Sequence, residues 1–159
     1  MMKATTILFS LLFSLILTTS TLAAEIVVDN DDGAPGYTET GVWNAGGSSG
    51  YQDGTYRFAG SNSGPATATA TWVPDLPSRR VYELYAVFRA GSNRAESVTV
   101  TINHGDGATT AQLDQTGSGI AERFLGSFTF DAGTAGSVSI DNGSTNGVVI
   151  ADSMIWRIP

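Results

Sequence analysis

Acidic side chains follow the first strand-like segment of the chain and recur once near its C-terminus. Asp29-Asn30-Asp31-Asp32-Gly33 is a cluster of oxygen donors, and Asp152 is the one charge in an otherwise apolar segment. Hard cations such as Ca²⁺ bind carboxylate and amide oxygens, and a buried carboxylate requires a partner. The cluster is not an EF-hand, because Thr40 stands where that loop requires Glu. We predict a structural Ca²⁺ ion bridging Asp29 or Asp32 to Asp152; the alternative is that backbone or arginine hydrogen bonds satisfy Asp152.

Four aromatic residues lie among Gly, Asn, Gln and Asp in a segment without regular patterning: Tyr37, Trp43, Tyr51 and Tyr56. Exposed aromatic faces stack on the apolar faces of sugar rings, while amides and carboxylates hydrogen-bond sugar hydroxyls. These residues are therefore candidate carbohydrate ligands. The alternative is that their rings close one end of the core.

A second polar group, formed by Arg89, Asn93 and Arg94, occupies a short Gly- and Ser-containing segment. The planar guanidinium fork of arginine binds carboxylates in a bidentate manner. The group is thus a candidate site for acidic sugars such as uronic acids. In the alternative interpretation, Arg94 only fixes its own loop by bonding backbone carbonyls.

Catalytic chemistry finds little support in the sequence. The single histidine, His104, lies in the turn Asn103-His104-Gly105-Asp106-Gly107, without an identifiable nucleophile. Gly46-Gly47-Ser48-Ser49-Gly50 matches the G-x-S-x-G motif only formally, because that motif needs a strand before it and a helix after it. The absence of cysteine excludes thiol catalysis, disulfides and zinc-thiolate sites. We predict no catalytic residue and no required cofactor.

The N-terminal segment predicts export. Residues 1–24 combine one charge, Lys3, with an apolar run and then small residues, which is the order found in secretory signal peptides. We place the cleavage site after Ala23 or Ala24 and expect a secreted or extracellular protein, with the periplasm as the alternative compartment. The net charge of −7 argues against nucleic-acid binding, and no later apolar stretch predicts a membrane span.

The sequence pattern of residues 25–159 predicts a single all-β domain. Short segments of alternating apolar and polar residues are separated by Asp-Gly and Asn-Gly turns. Eight or nine strands at this spacing predict an antiparallel β-sandwich or jelly roll whose first and last strands are neighbours. Residues 33–64 predict a long loop with one short strand near Tyr56-Arg57-Phe58. The predicted core aromatic residues are Trp72, Tyr82, Phe88, Phe128, Phe130 and Trp156.

Ten sequence blocks in order resemble the golvesin and xanthan-lyase type of carbohydrate-binding-like domain. They include Val28-Asp29-Asn30, Ala68-Thr69-Ala70-Thr71-Trp72, Pro74-Asp75-Leu76-Pro77, Ala90-Gly91-Ser92-Asn93-Arg94-Ala95 and Val149-Ile150-Ala151-Asp152. The resemblance implies a galactose-binding-like β-sandwich, a type of module usually appended to secreted enzymes that act on polysaccharides or peptidoglycan. It also implies a structural ion between the terminal strands.

Together, these observations favour a secreted, non-catalytic module that binds a polysaccharide or another glycan. An extracellular structural or adhesion protein with protein partners is the first alternative. A small glycan-active enzyme is the second.

Overall fold

Antiparallel strands make up nearly all of the regular structure. The computed structural model describes residues 24–159, so the predicted signal peptide lies outside the described residues except for Ala24. The strands are β1 (Glu25–Asp29), β2 (Tyr37–Thr40), β3 (Asn44–Ala45), β4 (Arg57–Gly60), β5 (Thr69–Trp72), β6 (Arg80–Ala90), β7 (Val98–His104), β8 (Gly107–Leu113), β9 (Gly119–Phe130), β10 (Ser137–Asp141), β11 (Val148–Ala151) and β12 (Ser153–Arg157). Two 3₁₀ turns, Asn30–Asp32 and Tyr51–Asp53, are the helical elements in this part of the chain, and neither is long enough to span a membrane.

The strands form a β-sandwich, as predicted. Sheet A has the order β1-β12-β6-β9, and sheet B has the order β2-β5-β10-β7-β8. A smaller sheet C, with the order β11-β4-β3, closes one side. The terminal strands pair directly, with Val27 opposite Ile155, which confirms the expected proximity of the chain ends.

The core lies between sheets A and B. Alternate residues of β6, including Tyr82, Leu84 and Phe88, are buried, and so are Val98 and Val100 of β7. Burial of a large apolar side chain contributes about 1.5–3 kcal/mol, so these rows dominate the stability of the sandwich. Five of the six predicted core aromatic residues are at most 1% exposed, and Phe128 packs partly buried against them.

The segment predicted as a long loop contains three strands. The edge strand β2 pairs with β5 and places Tyr37 opposite Trp72, while the two-residue β3 pairs with β4. The strand β4 is the short strand predicted near Tyr56-Arg57-Phe58. The other two were not predicted, because β2 pairs with a strand beyond two intervening ones and β3 has only two residues. The predicted turn at His104 is confirmed as the β7–β8 hairpin, which places His104 opposite Gly107.

Asp152 marks the point where the chain changes sheets. It separates β11 of sheet C from β12 of sheet A. The preceding strand is fixed by Gln115, whose side-chain amide bonds both the N–H (2.8 Å) and the carbonyl (2.7 Å) of Ile150. This buried clamp holds the sheet switch, and therefore the carboxylate of Asp152, in one position.

Candidate functional site

An open cavity of about 310 Å³ lies beside the N-terminal strand. We call it the acidic pocket; it is lined by Val27, Asp29, Asp31, Asp32, Tyr51, Gln52 and Gly54. Its volume is near the lower limit of about 300 Å³ for small-molecule sites. It brings Tyr51, a predicted sugar ligand, to the same place as Asp29 and Asp32, two predicted metal ligands.

Local hydrogen bonds build the acidic wall of the pocket. Asp29 caps the first 3₁₀ turn by accepting the N–H of Asp31 at 2.8 Å, and Asp32 accepts the N–H of Asp29 at 2.9 Å. This reciprocal arrangement is a capping box. Asp31 reaches across the pocket and accepts the Thr55 N–H at 2.8 Å, so the two chain segments that form the pocket are joined by a carboxylate.

Tyr51 and Gln52 form the opposite wall. Tyr51 is partly exposed, and its hydroxyl accepts a hydrogen bond of 2.9 Å from the Gln52 side-chain amide. Gln52 has a φ of 48°, in the left-handed region that non-glycine residues seldom adopt and that often marks functional sites. Neither Gln52 nor Asp31 was among the predicted ligands. The place of Asp31 in the acidic cluster is a signal that could have identified it, whereas Gln52 carries no such signal.

Asp152 is buried behind this wall, with 1% of its surface exposed. Both of its carboxylate oxygens accept the N–H of Tyr51, at 3.1 and 3.2 Å. Burial raises the pKa of Asp152 to about 7, and the charges of Asp29 and Asp31 add to the effect. Gly50 is required here, because a Cβ at this position would lie 2.1 Å from the backbone carbonyl oxygen of Thr55 and 2.9 Å from Oδ2 of Asp152.

The predicted trio of metal ligands is not assembled as one ligand set. Within residues 24–159, no three Asp, Glu or His side chains are grouped closely enough to hold a metal ion. Asp32 is engaged in the capping box, and Asp152 faces the Tyr51 amide. The surroundings nevertheless suit a hard cation: the donors are oxygens, and the buried Oδ1 of Asn30 has no hydrogen-bond partner among residues 24–159. Ca²⁺ binding at this pocket stays a prediction.

The other three predicted aromatic ligands are buried in the core. Tyr37, Trp43 and Tyr56 are 5%, 7% and 6% exposed, so the expectation of exposed rings is wrong for them. Tyr37 packs 5.2 Å from the Trp72 ring. Tyr56 is covered by Gly46, where a Cβ would approach the ring to 2.3 Å. Folding of this segment onto the sandwich, rather than its polar composition, decides where the rings lie.

The predicted arginine group is brought together, but its members are engaged with the protein. Arg94 bonds the Arg89 carbonyl at 3.4 Å and Asn93 Oδ1 at 3.0 Å, and its guanidinium lies 5.9 Å from the centre of the Tyr56 ring. Arg89 donates to the Ser49 carbonyl at 2.9 Å. These contacts match the alternative in which Arg94 fixes its loop.

The two weak catalytic motifs form no catalytic arrangement. His104 Nε2 lies 3.0 Å from the Thr109 hydroxyl, and the ring packs 5.1 Å from the Phe128 ring. Gly46–Gly50 joins the short strand β3 to a 3₁₀ turn, and so lacks the strand–turn–helix geometry of a nucleophile elbow.

Comparison with known proteins identifies relatives of the whole sandwich. The Golvesin C-terminal domain family matches residues 26–156. Xanthan lyase from Bacillus sp. (strain GL1) is 36% identical over 132 residues, which cover 81% of this chain but 14% of that protein. The chain therefore spans about a seventh of the length of that curated relative.

Solved structures also show a similarity to xanthan lyase over most of this chain. Paenibacillus xanthan lyase superposes with a TM-score of 0.76 at 33% identity, covering 85% of this chain and 13% of the lyase. The family 35 carbohydrate-binding module (CBM35) of Cellvibrio japonicus Abf62 superposes with a TM-score of 0.56 at 17% identity, covering 83% of this chain and 92% of the module. The second likeness shows the fold alone. With the family match extending from β1 into β12, the chain belongs to the Golvesin C-terminal domain family.

Proposed function

We propose that this protein is a secreted, non-catalytic module that binds a polysaccharide through the acidic pocket. The observation that carries the proposal is the juxtaposition of the partly exposed Tyr51 ring with the Gln52 amide and three aspartates around one cavity. An aromatic face beside several hydroxyl-bonding groups is the arrangement that sugar recognition requires.

The relatives support this assignment. The matching part of xanthan lyase is a small fraction of an enzyme named for its action on a polysaccharide, and the similar CBM35 structure is a carbohydrate-binding module in its own right. These two likenesses favour a binding role over a catalytic one. The signal peptide predicted in residues 1–24 supports export, and the first residue of protein recovered from the culture medium tests it.

Affinity electrophoresis against xanthan, β-1,3-galactan, mannan and xylan tests the binding proposal. We expect at least one polymer to retard the wild-type protein, and Tyr51→Ala to weaken binding about tenfold through lost stacking. Tyr51→Ala keeps the backbone N–H that donates to Asp152, so this wall of the pocket keeps its hydrogen bond to the buried carboxylate. Val42→Ala is the matched control, because Val42 is 73% exposed and does not line the pocket.

No retardation on the whole panel would overturn the proposal and favour a protein-binding role. If Tyr51→Ala is retarded as strongly as the wild type, the polysaccharide does not bind in the acidic pocket. Trp43→Ala is unsuitable for this purpose, because Trp43 is buried and its loss would disturb folding.

A further inference from the structure

An apolar row crosses the outer face of sheet A from edge to edge. The strand registers place Val27 opposite Ile155, Ile155 opposite Tyr85, and Tyr85 opposite Phe124. Directly paired residues of antiparallel strands project from the same face. Ile155 is buried, whereas Val27 and Tyr85 are partly exposed and Phe124 is 56% exposed. We call Val27, Ile155, Tyr85 and Phe124 the apolar row.

A β-bulge turns Phe124 outward. The register between β6 and β9 shifts at Leu84/Tyr85, so that Leu84 pairs with Gly126, Tyr85 pairs with Phe124, and Leu125 is the additional residue. Without this extra residue, strand alternation would direct Phe124 to the same side as Gly126 and Phe128, towards the core. Gly126 accommodates the irregularity with a φ of 143°, a value that favours glycine.

The outward position of Phe124 does not stabilise the fold. Burying a phenylalanine would contribute about 1.5–3 kcal/mol, and this stabilisation is largely forgone. The ring instead lies 5.2 Å from that of Tyr85, inclined by 49°. The two rings form an angled aromatic surface, and bulges are frequent where a side chain is re-aimed beside a functional site.

Polar rows flank the apolar row on both sides. Glu25, Arg157 and Glu83 are cross-strand partners on one side. On the other side, Asp29, Ser153 and Glu122 share their row with the buried Val87. The guanidinium of Arg157 lies 4.4 Å from the Tyr85 ring centre and bonds both Glu25 and Glu122. The guanidinium therefore covers one face of Tyr85 and leaves Phe124 as the ring on which a pyranose can stack, with hydroxyl-bonding groups on both sides of the row.

The apolar row leads into the acidic pocket. Val27, its first member, also lines that pocket. Phe124 lies three strands away in sheet A, a distance of about 14 Å at the usual strand spacing. One extended ligand can thus contact both places, whereas a single monosaccharide cannot.

The charge of the face selects the type of ligand. The outer face of sheet A carries four acidic residues and two basic ones: Glu25, Glu83, Glu122 and Asp29, and Arg157 and Arg89. Two more aspartates, Asp31 and Asp32, line the adjoining pocket. This acidic excess disfavours uronic acids and other anionic sugars. It also disfavours a second copy of the same face, which would bring like charges together.

We propose that a neutral glycan chain binds along the apolar row, with one residue in the acidic pocket and another stacked on Phe124. The proposal rests on the proposed function and extends it by naming a second contact surface and the charge class of the glycan. Phe124 is a binding residue in this account, and the bulge at Leu125 is the device that positions it.

Affinity electrophoresis of the protein with β-1,3-galactan, mannan and xylan as neutral probes, and polygalacturonate as the anionic probe, tests the proposal. We expect a neutral polymer to retard the wild type more than polygalacturonate does. Phe124→Ala should weaken that binding by about fivefold or more, and Phe124→Trp should retain it. The melting temperature of Phe124→Ala should stay within a few degrees of the wild-type value, because the side chain is 56% exposed. Val42→Ala again provides the control.

The outcomes separate this inference from the proposed function. If Phe124→Ala binds within about twofold of the wild type, or if polygalacturonate binds more strongly than every neutral polymer, the inference is overturned while glycan binding stands. If size-exclusion chromatography shows a dimer that Phe124→Ala dissociates, the face is a self-association surface and the inference is wrong. If no probe retards the wild type, the proposed function itself fails.

Discussion

Replacing Asp152 by Asn is expected to remove a large part of the pH dependence of stability. In the folded protein, burial raises the pKa of Asp152 to about 7 from its ordinary value of 3.8. Between these values the folded state holds a proton that the unfolded chain releases. Stability contributed by this group is therefore complete below about pH 4, falls as the pH rises, and is constant above about pH 7.

The size of the effect follows from the same two values. Each pH unit between them corresponds to about 1.4 kcal/mol, so the ionised carboxylate costs the folded state up to about 4 kcal/mol by pH 8. The Asn side chain cannot ionise, yet its oxygen can still accept the N–H of Tyr51. The difference in unfolding free energy, variant minus wild type, should consequently rise by up to this amount from about pH 4 to pH 8.

Urea denaturation in the presence of EDTA, at several pH values across this range, measures that difference. Subtraction removes the contribution of acids that do not interact with Asp152. Asp29, whose pKa is also raised by burial and whose charge acts on Asp152, contributes to the measured difference as well. Asp75→Asn, at an exposed position, is the control and should follow the wild type. Parallel profiles for Asp152→Asn and the wild type would refute the reasoning.

Three further predictions concern the core and the ion. Trp72→Phe should lower the unfolding free energy by about 1 kcal/mol more than Trp156→Phe, because Nε1 of Trp72 donates to the Asp152 carbonyl at 3.1 Å, whereas Nε1 of Trp156 has no partner in the described part of the chain; equal losses in urea denaturation would contradict this. Gln115→Leu should cost about 2–4 kcal/mol, since it leaves both backbone groups of Ile150 unpaired, and a fully stable variant would show that the clamp is dispensable. Millimolar Ca²⁺ should raise the melting temperature at about pH 8, where the acids are ionised, more than at about pH 5; identical melting in Ca²⁺ and EDTA would exclude the predicted ion.

The regular parts of the fold could be predicted from the sequence, because their signals are local. The alternation in Ser97–Asn103 places Val98, Val100 and Ile102 on one face, and all three are buried. The turn at His104 and the pairing of the terminal strands followed from turn residues and from the usual arrangement of sandwiches. Each of these features depends on neighbouring residues or on a general rule of topology.

The site was only partly predictable, because its decisive features are contacts between distant residues. Tyr51 and Tyr56 occur in similar polar surroundings, yet Tyr56 is enclosed by Gly46 and Arg94 while Tyr51 stays partly exposed. Similarly, Phe124 and Phe128 have the even spacing of one strand face, and only the cross-strand register reveals that the bulge separates them. Composition indicated the chemistry of a sugar site, but tertiary packing determined which ring can supply it.

Binding of the purified protein to an array of immobilised neutral and acidic oligosaccharides tests the central claim most directly. The account predicts saturable binding to at least one neutral oligosaccharide, weakened by Tyr51→Ala, with the oligosaccharide recovered unchanged in mass. The absence of binding to any glycan, or recovery of a cleaved product, would contradict the assignment of this sandwich as a non-catalytic carbohydrate-binding module.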